Sequence, residues 1–145
     1  MAASHAPHLT ERARYRHWVS DTIRYSDTDM VGHVNNLAFA AYCETGRTRF
    51  MHEFPKPLVG KDAQTVIARL MLNFLGEAHW PGVVEVGTGV IAVGNSSMTL
   101  GQGLFSEGRC IASAESTIVM IDQVTRKPRR VPDDFRAWLL GYKID

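Results

Sequence analysis

Hydrophobic and polar positions change period along this chain, and the changes outline its elements. Residues 15–25, YRHWVSDTIRY, alternate, with Trp18, Ser20, Thr22 and Arg24 opposite Val19, Ile23 and Tyr25, which predicts a strand. From Asn36 the period becomes helical: Phe39, Cys43, Gly46 and Phe50 stand at i, i+4, i+7 and i+11, and Pro55 and Pro57 end the run. The helix is rich in Ala and carries Gly46, which costs about 1 kcal/mol relative to Ala in a helix interior. Small residues in that pattern predict a helix wrapped closely by another surface.

Strand periodicity then returns at 65–75, 83–93, 97–106 and 109–122, broken by Pro81-Gly82, Gly94-Asn95 and Glu107-Gly108. The short links between the last three strands require antiparallel neighbours. At the end, Pro132 and the acids Asp133 and Asp134 open a short helix with Phe135, Trp138, Leu139 and Tyr142 on its apolar face. The predicted order is strand, long helix, four strands, short helix. That is an α+β fold with an antiparallel sheet on one central helix.

Composition narrows the class. A chain of 145 residues with 45% hydrophobic content suits one domain, 1–145, with a core that needs neither disulfide nor metal. About the first dozen residues read as a flexible extension. The formal net charge of +1 gives no global reason to bind nucleic acid, and no segment has the ~20 apolar residues of a membrane span. Cys43 and Cys110 lie far apart in apolar stretches, which predicts reduced thiols and a cytoplasmic protein.

The chemistry concentrates in YSDTDMVGHVNN, residues 25–36, just before the long helix. Asp27, Asp29 and Gly32 copy part of a calcium loop, but Val31 and Ala38 stand where two further ligands belong. A zinc site on Asp29 and His33 needs another ligand, and His5, His8, His17, His52 and His79 show no metal spacing, so no metal is expected. GTGVIA at 87–92 fits a dinucleotide fingerprint but leads into turn and strand rather than helix, so its glycines are read as relieving crowding where a strand bends across the helix. Two readings of the loop stay open. Either Asp27 and Asp29 are turn residues and Asn35 or Asn36 is an N-cap, or Asp29 acts on a carbonyl polarised by free N–H groups at the helix start. In the second reading Gly32 lets the turn approach a ligand.

DTDMVGHVNN followed by YCETGR resembles the D-x-D-x-x-G-H-V-N-N and Y-x-E-x-x-R patterns of hotdog-fold acyl-CoA thioesterases of the 4-hydroxybenzoyl-CoA thioesterase type. VGNSSMTLGQGLF and DQVTRKPRRVPDDF extend the likeness over most of the chain. The resemblance implies a hotdog fold, a homodimer or dimer of dimers with sites at the subunit interface, and hydrolysis of an acyl-CoA or acyl-carrier-protein thioester without a cofactor. Carried over by position, Asp29 is the catalytic carboxylate and the backbone N–H of Asn36 the oxyanion donor. Asp27 braces the turn, while Gly32, His33 and Asn35 belong to the active-site loop. Arg126, Lys127, Arg129 and Arg130 are candidates for the CoA phosphates. Glu44 is expected to pair with Arg47 one turn later, and is the alternative carboxylate because some hotdog enzymes use one on the helix. Two other activities fit the fold: a hydratase or dehydratase acting on a thioester, and a non-catalytic acyl-CoA binding module.

Overall fold

The computed structural model describes residues 7–57 and 62–144. Strand β1 (His17–Ile23) leads through a loop into helix α1 (Asn36–His52). Strands β2 (Ala63–Phe74), β3 (Gly82–Val93), β4 (Ser97–Ser106) and β5 (Arg109–Asp122) follow, and helix α2 (Asp133–Leu140) closes the chain. The five strands form one sheet in the order β1-β3-β4-β5-β2, antiparallel throughout. This is the hotdog arrangement that the resemblance implies, with β1 and β2 at the two edges.

Helix α1 packs on one face of the sheet. Ala38, Phe39, Tyr42 and Cys43 pack with Val84, Val86, Leu104 and Ala114, while Phe50 joins Met98, Met120, Phe135 and Leu139 at the other end. Gly46 marks the closest approach: a Cβ there would fall within contact of Val86 Cγ1 and 2.9 Å from Gln102 Nε2. Gln102 is buried and donates to the Cys43 carbonyl and to Thr88 Oγ1, each at 3.0 Å, pinning the sheet to the helix at that point.

The opposite face corrects two expectations. Gly87 and Gly89 alternate away from the helix, and Cβ atoms there would strike Tyr15 and Ile144. They pair across the ladder with Gly103 and Gly101, so a glycine-paved strip runs over β3 and β4 on the outer face. The glycines of GTGVIA therefore relieve crowding beneath the terminal segments and not against the helix. The second correction concerns the chain start. Pro7–Thr10 forms a 3-10 turn whose Leu9 is fully buried and whose Leu9 carbonyl accepts from Tyr15 Oη at 2.6 Å, so residues 7–12 are not a loose extension. Leu9, Tyr15, Phe105 and Ile144 make a small core of their own there. Residues 1–6 of the expected extension lie outside the described residues.

Candidate active site

The loop between β1 and α1 is built on Asp27. Its Oδ2 accepts from the Arg24 amide at 2.8 Å and from Tyr42 Oη at 2.7 Å, and its carbonyl accepts from the Asn35 amide at 2.7 Å. One half-buried residue thus ties together the start of the loop, its end and the second turn of the helix. Burial first, and then the bond to Asp27, raise the Tyr42 pKa, so Tyr42 is a fixed donor.

Asp29 follows after an antiparallel bridge between Thr28 and Val34. Its Oδ1 accepts from the Val31 amide at 3.0 Å and from the His33 amide at 3.3 Å, closing a tight turn in which Gly32 has φ +84°. Among the described residues nothing hydrogen-bonds Oδ2, which faces solvent at an exposed position. One carboxylate oxygen is anchored and the other is free.

The helix start presents the complementary group. Asn35 is the N-cap, and its side chain accepts from the Leu37 amide at 2.9 Å while its carbonyl accepts from Ala38. The Asn36 N–H at the first helical position has no partner among the described residues, as expected for an N1 amide. Both open readings of the loop meet here: Asn35 is a cap, and Asn36 nevertheless leaves a donor free. Met30 and Val31 in the loop and Leu37 beside Asn36 in the helix are exposed apolar side chains, and half-exposed Phe74 is set edge-on against buried Phe39 at 5.3 Å.

His33 has company that its spacing in sequence did not reveal. His33 Nε2 lies 3.3 Å from Glu77 Oε2, His79 Nε2 lies 3.8 Å from the same oxygen, and all three ligand atoms fall within 4.8 Å of one another. Spacing along the chain does not reveal this grouping, which His33, Glu77 and His79 reach only in space. The β2–β3 loop folds back onto the active-site loop through the Val34 amide and the Ala78 carbonyl at 2.8 Å, and that contact brings distant residues together.

Other candidates fall elsewhere. The expected Glu44–Arg47 ion pair does not form among the described residues: Arg47 turns inward and is 7% exposed, while Glu44 stays in solvent. Both line a groove of about 410 Å³ with Ala40, Ala41, Ile67 and Leu70 beside the β2 edge. Arg126 donates to Gln64 at 2.7 Å, Arg130 pairs with Asp133 at 2.6 Å, and the Lys127 carbonyl and Arg129 amide continue the β5 end through Asp122 and Met120. This basic turn stands at the Phe50 end of α1, roughly 25 Å along the helix from Asn36 by the usual rise of ~1.5 Å per residue. A cavity of about 720 Å³ also lies at that end, lined by Met51, His52, Phe54 and Thr65 among others. Burial pushes the Cys43 thiol up to about 12 and raises that of Cys110, which disfavours the thiolate that a cysteine nucleophile needs. No helix among the described residues is long and apolar enough to cross a membrane.

Known proteins place this arrangement. The family model of the Thioesterase-like superfamily matches residues 23–139. The acyl-CoA thioester hydrolase YbgC of Escherichia coli is 25% identical over 119 residues, covering 79% of this chain and 89% of that protein. A predicted thioesterase from Bacillus stearothermophilus is 30% identical, with a TM-score of 0.80 over 88% of this chain and 96% of that one. A Thermus thermophilus thioesterase, solved in complex with coenzyme A and Zn, is 22% identical with a TM-score of 0.79 over 90% of this chain and 96% of its own. The chain belongs to the thioesterase-like superfamily, in its hotdog-fold form.

Proposed function

We propose that this chain is a single-domain acyl-CoA thioester hydrolase in which Asp29 and the Asn36 N–H act on opposite sides of one carbonyl. The observation that carries the reading is the division of labour at the loop. Among the described residues, Asp29 keeps Oδ2 free while Oδ1 is anchored, and the first helical amide has no partner. A thioester oxygen at that amide meets a fixed N–H and the positive end of α1, both of which favour the charge of a tetrahedral intermediate. Asp29 then draws a proton from water, water attacks the carbonyl carbon, and collapse of the intermediate expels the CoA thiolate, which leaves as thiol after protonation. The exposed apolar side chains Met30, Val31 and Leu37 next to Asn36 in sequence suit the acyl group. A hydratase would leave the thioester bond intact, so thiol release separates the two activities.

Substrate binding is completed by a second copy. Among the described residues the outer edge of β2 is unpaired, and the strand exposes Ile67 and Leu70 at its middle. Antiparallel pairing of two such edges about a twofold axis sets the Ala63 end of one strand beside the Phe74 end of the other. The large cavity near Thr65 and the basic turn at 126–130 of the partner subunit then lie beside the Asp29 loop. In this reading Arg126, Lys127, Arg129 and Arg130 serve CoA phosphates across the interface, a role that they cannot fill within their own subunit.

A thiol-release screen over short, long, branched and aromatic acyl-CoAs, with acyl-carrier-protein esters alongside, tests the activity. Release from at least one class is expected, and binding without release from any class would make this a binding module. Single turnover in oxygen-18 water tests the role of Asp29: unlabelled Asp29 with no acylated enzyme on rapid quench supports the general base, whereas label in Asp29 would show a mixed anhydride.

A further inference from the structure

We propose that His33, Glu77 and His79 form a site for one divalent transition-metal ion of the zinc class, clamping the active-site loop to the β2–β3 loop. This reading is independent of the hydrolytic one. Tetrahedral coordination with metal–ligand distances of ~2.0–2.2 Å puts ligand atoms about 3.3 Å apart. The His33–Glu77 separation of 3.3 Å already meets that spacing, and the His79–Glu77 separation of 3.8 Å needs only a small closure. All three ligand atoms lie within 4.8 Å, on partly or fully exposed side chains that can rotate together.

The outer contacts point the same way. His79 Nδ1 lies 3.4 Å from the Gly32 carbonyl oxygen, an acceptor for an Nδ1 proton, which leaves the Nε2 lone pair directed at the cluster. That is the usual way a backbone carbonyl fixes the tautomer of a ligating histidine. Both nitrogens of His79 thus face oxygen acceptors, and two imidazolium rings sharing the Glu77 carboxylate would repel each other. A divalent cation accepting three lone pairs satisfies every group at once. The backbone beneath is already fixed: the Val34 amide binds the Ala78 carbonyl at 2.8 Å, the Glu77 carbonyl accepts from Arg109 at 3.1 Å, and the Gly76 amide binds Ile111. Two imidazoles and one carboxylate select zinc, cobalt or nickel over magnesium or calcium, and a fourth position stays open to water.

The test uses full-length protein free of any histidine tag, stripped with chelator and dialysed. Calorimetric titration with zinc chloride should give one ion per chain, and cobalt(II) should develop the visible absorption bands of tetrahedral coordination, while magnesium gives no heat. His79→Ala and Glu77→Gln should each weaken zinc binding at least ~100-fold with circular dichroism unchanged, and His52→Ala should bind as the wild type does. Absence of zinc binding at millimolar concentration would overturn the proposal. So would wild-type affinity in either site variant.

Discussion

At the scale of single residues, the loop separates two aspartates that look alike in the sequence. Asp27 is consumed by structure, holding an amide and the Tyr42 hydroxyl through one oxygen, whereas Asp29 keeps an oxygen in solvent. The Asn36 N–H offers a sharper test of the oxyanion role than any side-chain truncation, because position N1 is where proline is best tolerated in a helix. Asn35 already has φ −65° and ψ 144°, a conformation that a following proline accepts. Asn36→Pro should therefore fold normally yet lose turnover by ~100-fold or more, the usual effect of removing one oxyanion donor, while Asn36→Ala stays near wild type. Parallel circular dichroism and thiol-release rates check this; a fully active proline variant would remove the amide from the mechanism. The motif made the loop legible at this scale. Glu77 and His79 were not legible, because their proximity to His33 arises from two loops meeting in space and leaves no spacing to read.

At the scale of elements, α1 and the strands were readable because period and burial agree. Phe39, Cys43, Gly46 and Phe50 stand on the helix face that the sheet covers, and all four are buried. Gly46→Ala should destabilise the protein by about 1–3 kcal/mol despite its better helix propensity, since the new methyl meets Val86 and Gln102. Urea unfolding measures it, and a stabilised variant would contradict the close contact. The glycines of β3 were misassigned to the helix side because a glycine has no side chain to declare its face. Only the register, Gly87 opposite Gly103 and Gly89 opposite Gly101, shows which surface they open. β1 carries a pH dependence as well. His17 packs edge-on against Phe50, burial lowers its pKa, and Glu53 at 3.8 Å opposes the shift. A histidine whose folded pKa lies below its unfolded value contributes stability fully above the unfolded pKa, ~6.5, and loses it as pH falls towards the folded one. The urea midpoint should thus drop between about pH 7.5 and 5.5 more in the wild type than in His17→Gln. Equal drops would place the effect elsewhere.

At the scale of the whole molecule, the chain presents an exposed sheet edge, and the proposed function divides the site across it. The order β1-β3-β4-β5-β2 leaves β2 outermost with Ile67 and Leu70 exposed, and the basic turn stands at the far end of α1 from Asp29. Light scattering should find a dimer or a dimer of dimers at micromolar concentration, and Ile67→Lys with Leu70→Glu should yield monomers with impaired turnover. A fully active monomer would contradict completion of the site by a second copy. Strand order was beyond reach of periodicity, which reports each strand's faces but not its neighbours. The most direct test of the catalytic reading compares thiol release by the wild type, Asp29→Asn and Asp27→Asn on the best acyl-CoA, with fold and assembly verified for each. Asp29→Asn should keep the fold and lose at least ~100-fold in turnover, with a smaller loss in Asp27→Asn. Wild-type turnover in Asp29→Asn, or equal losses at both positions, would contradict it.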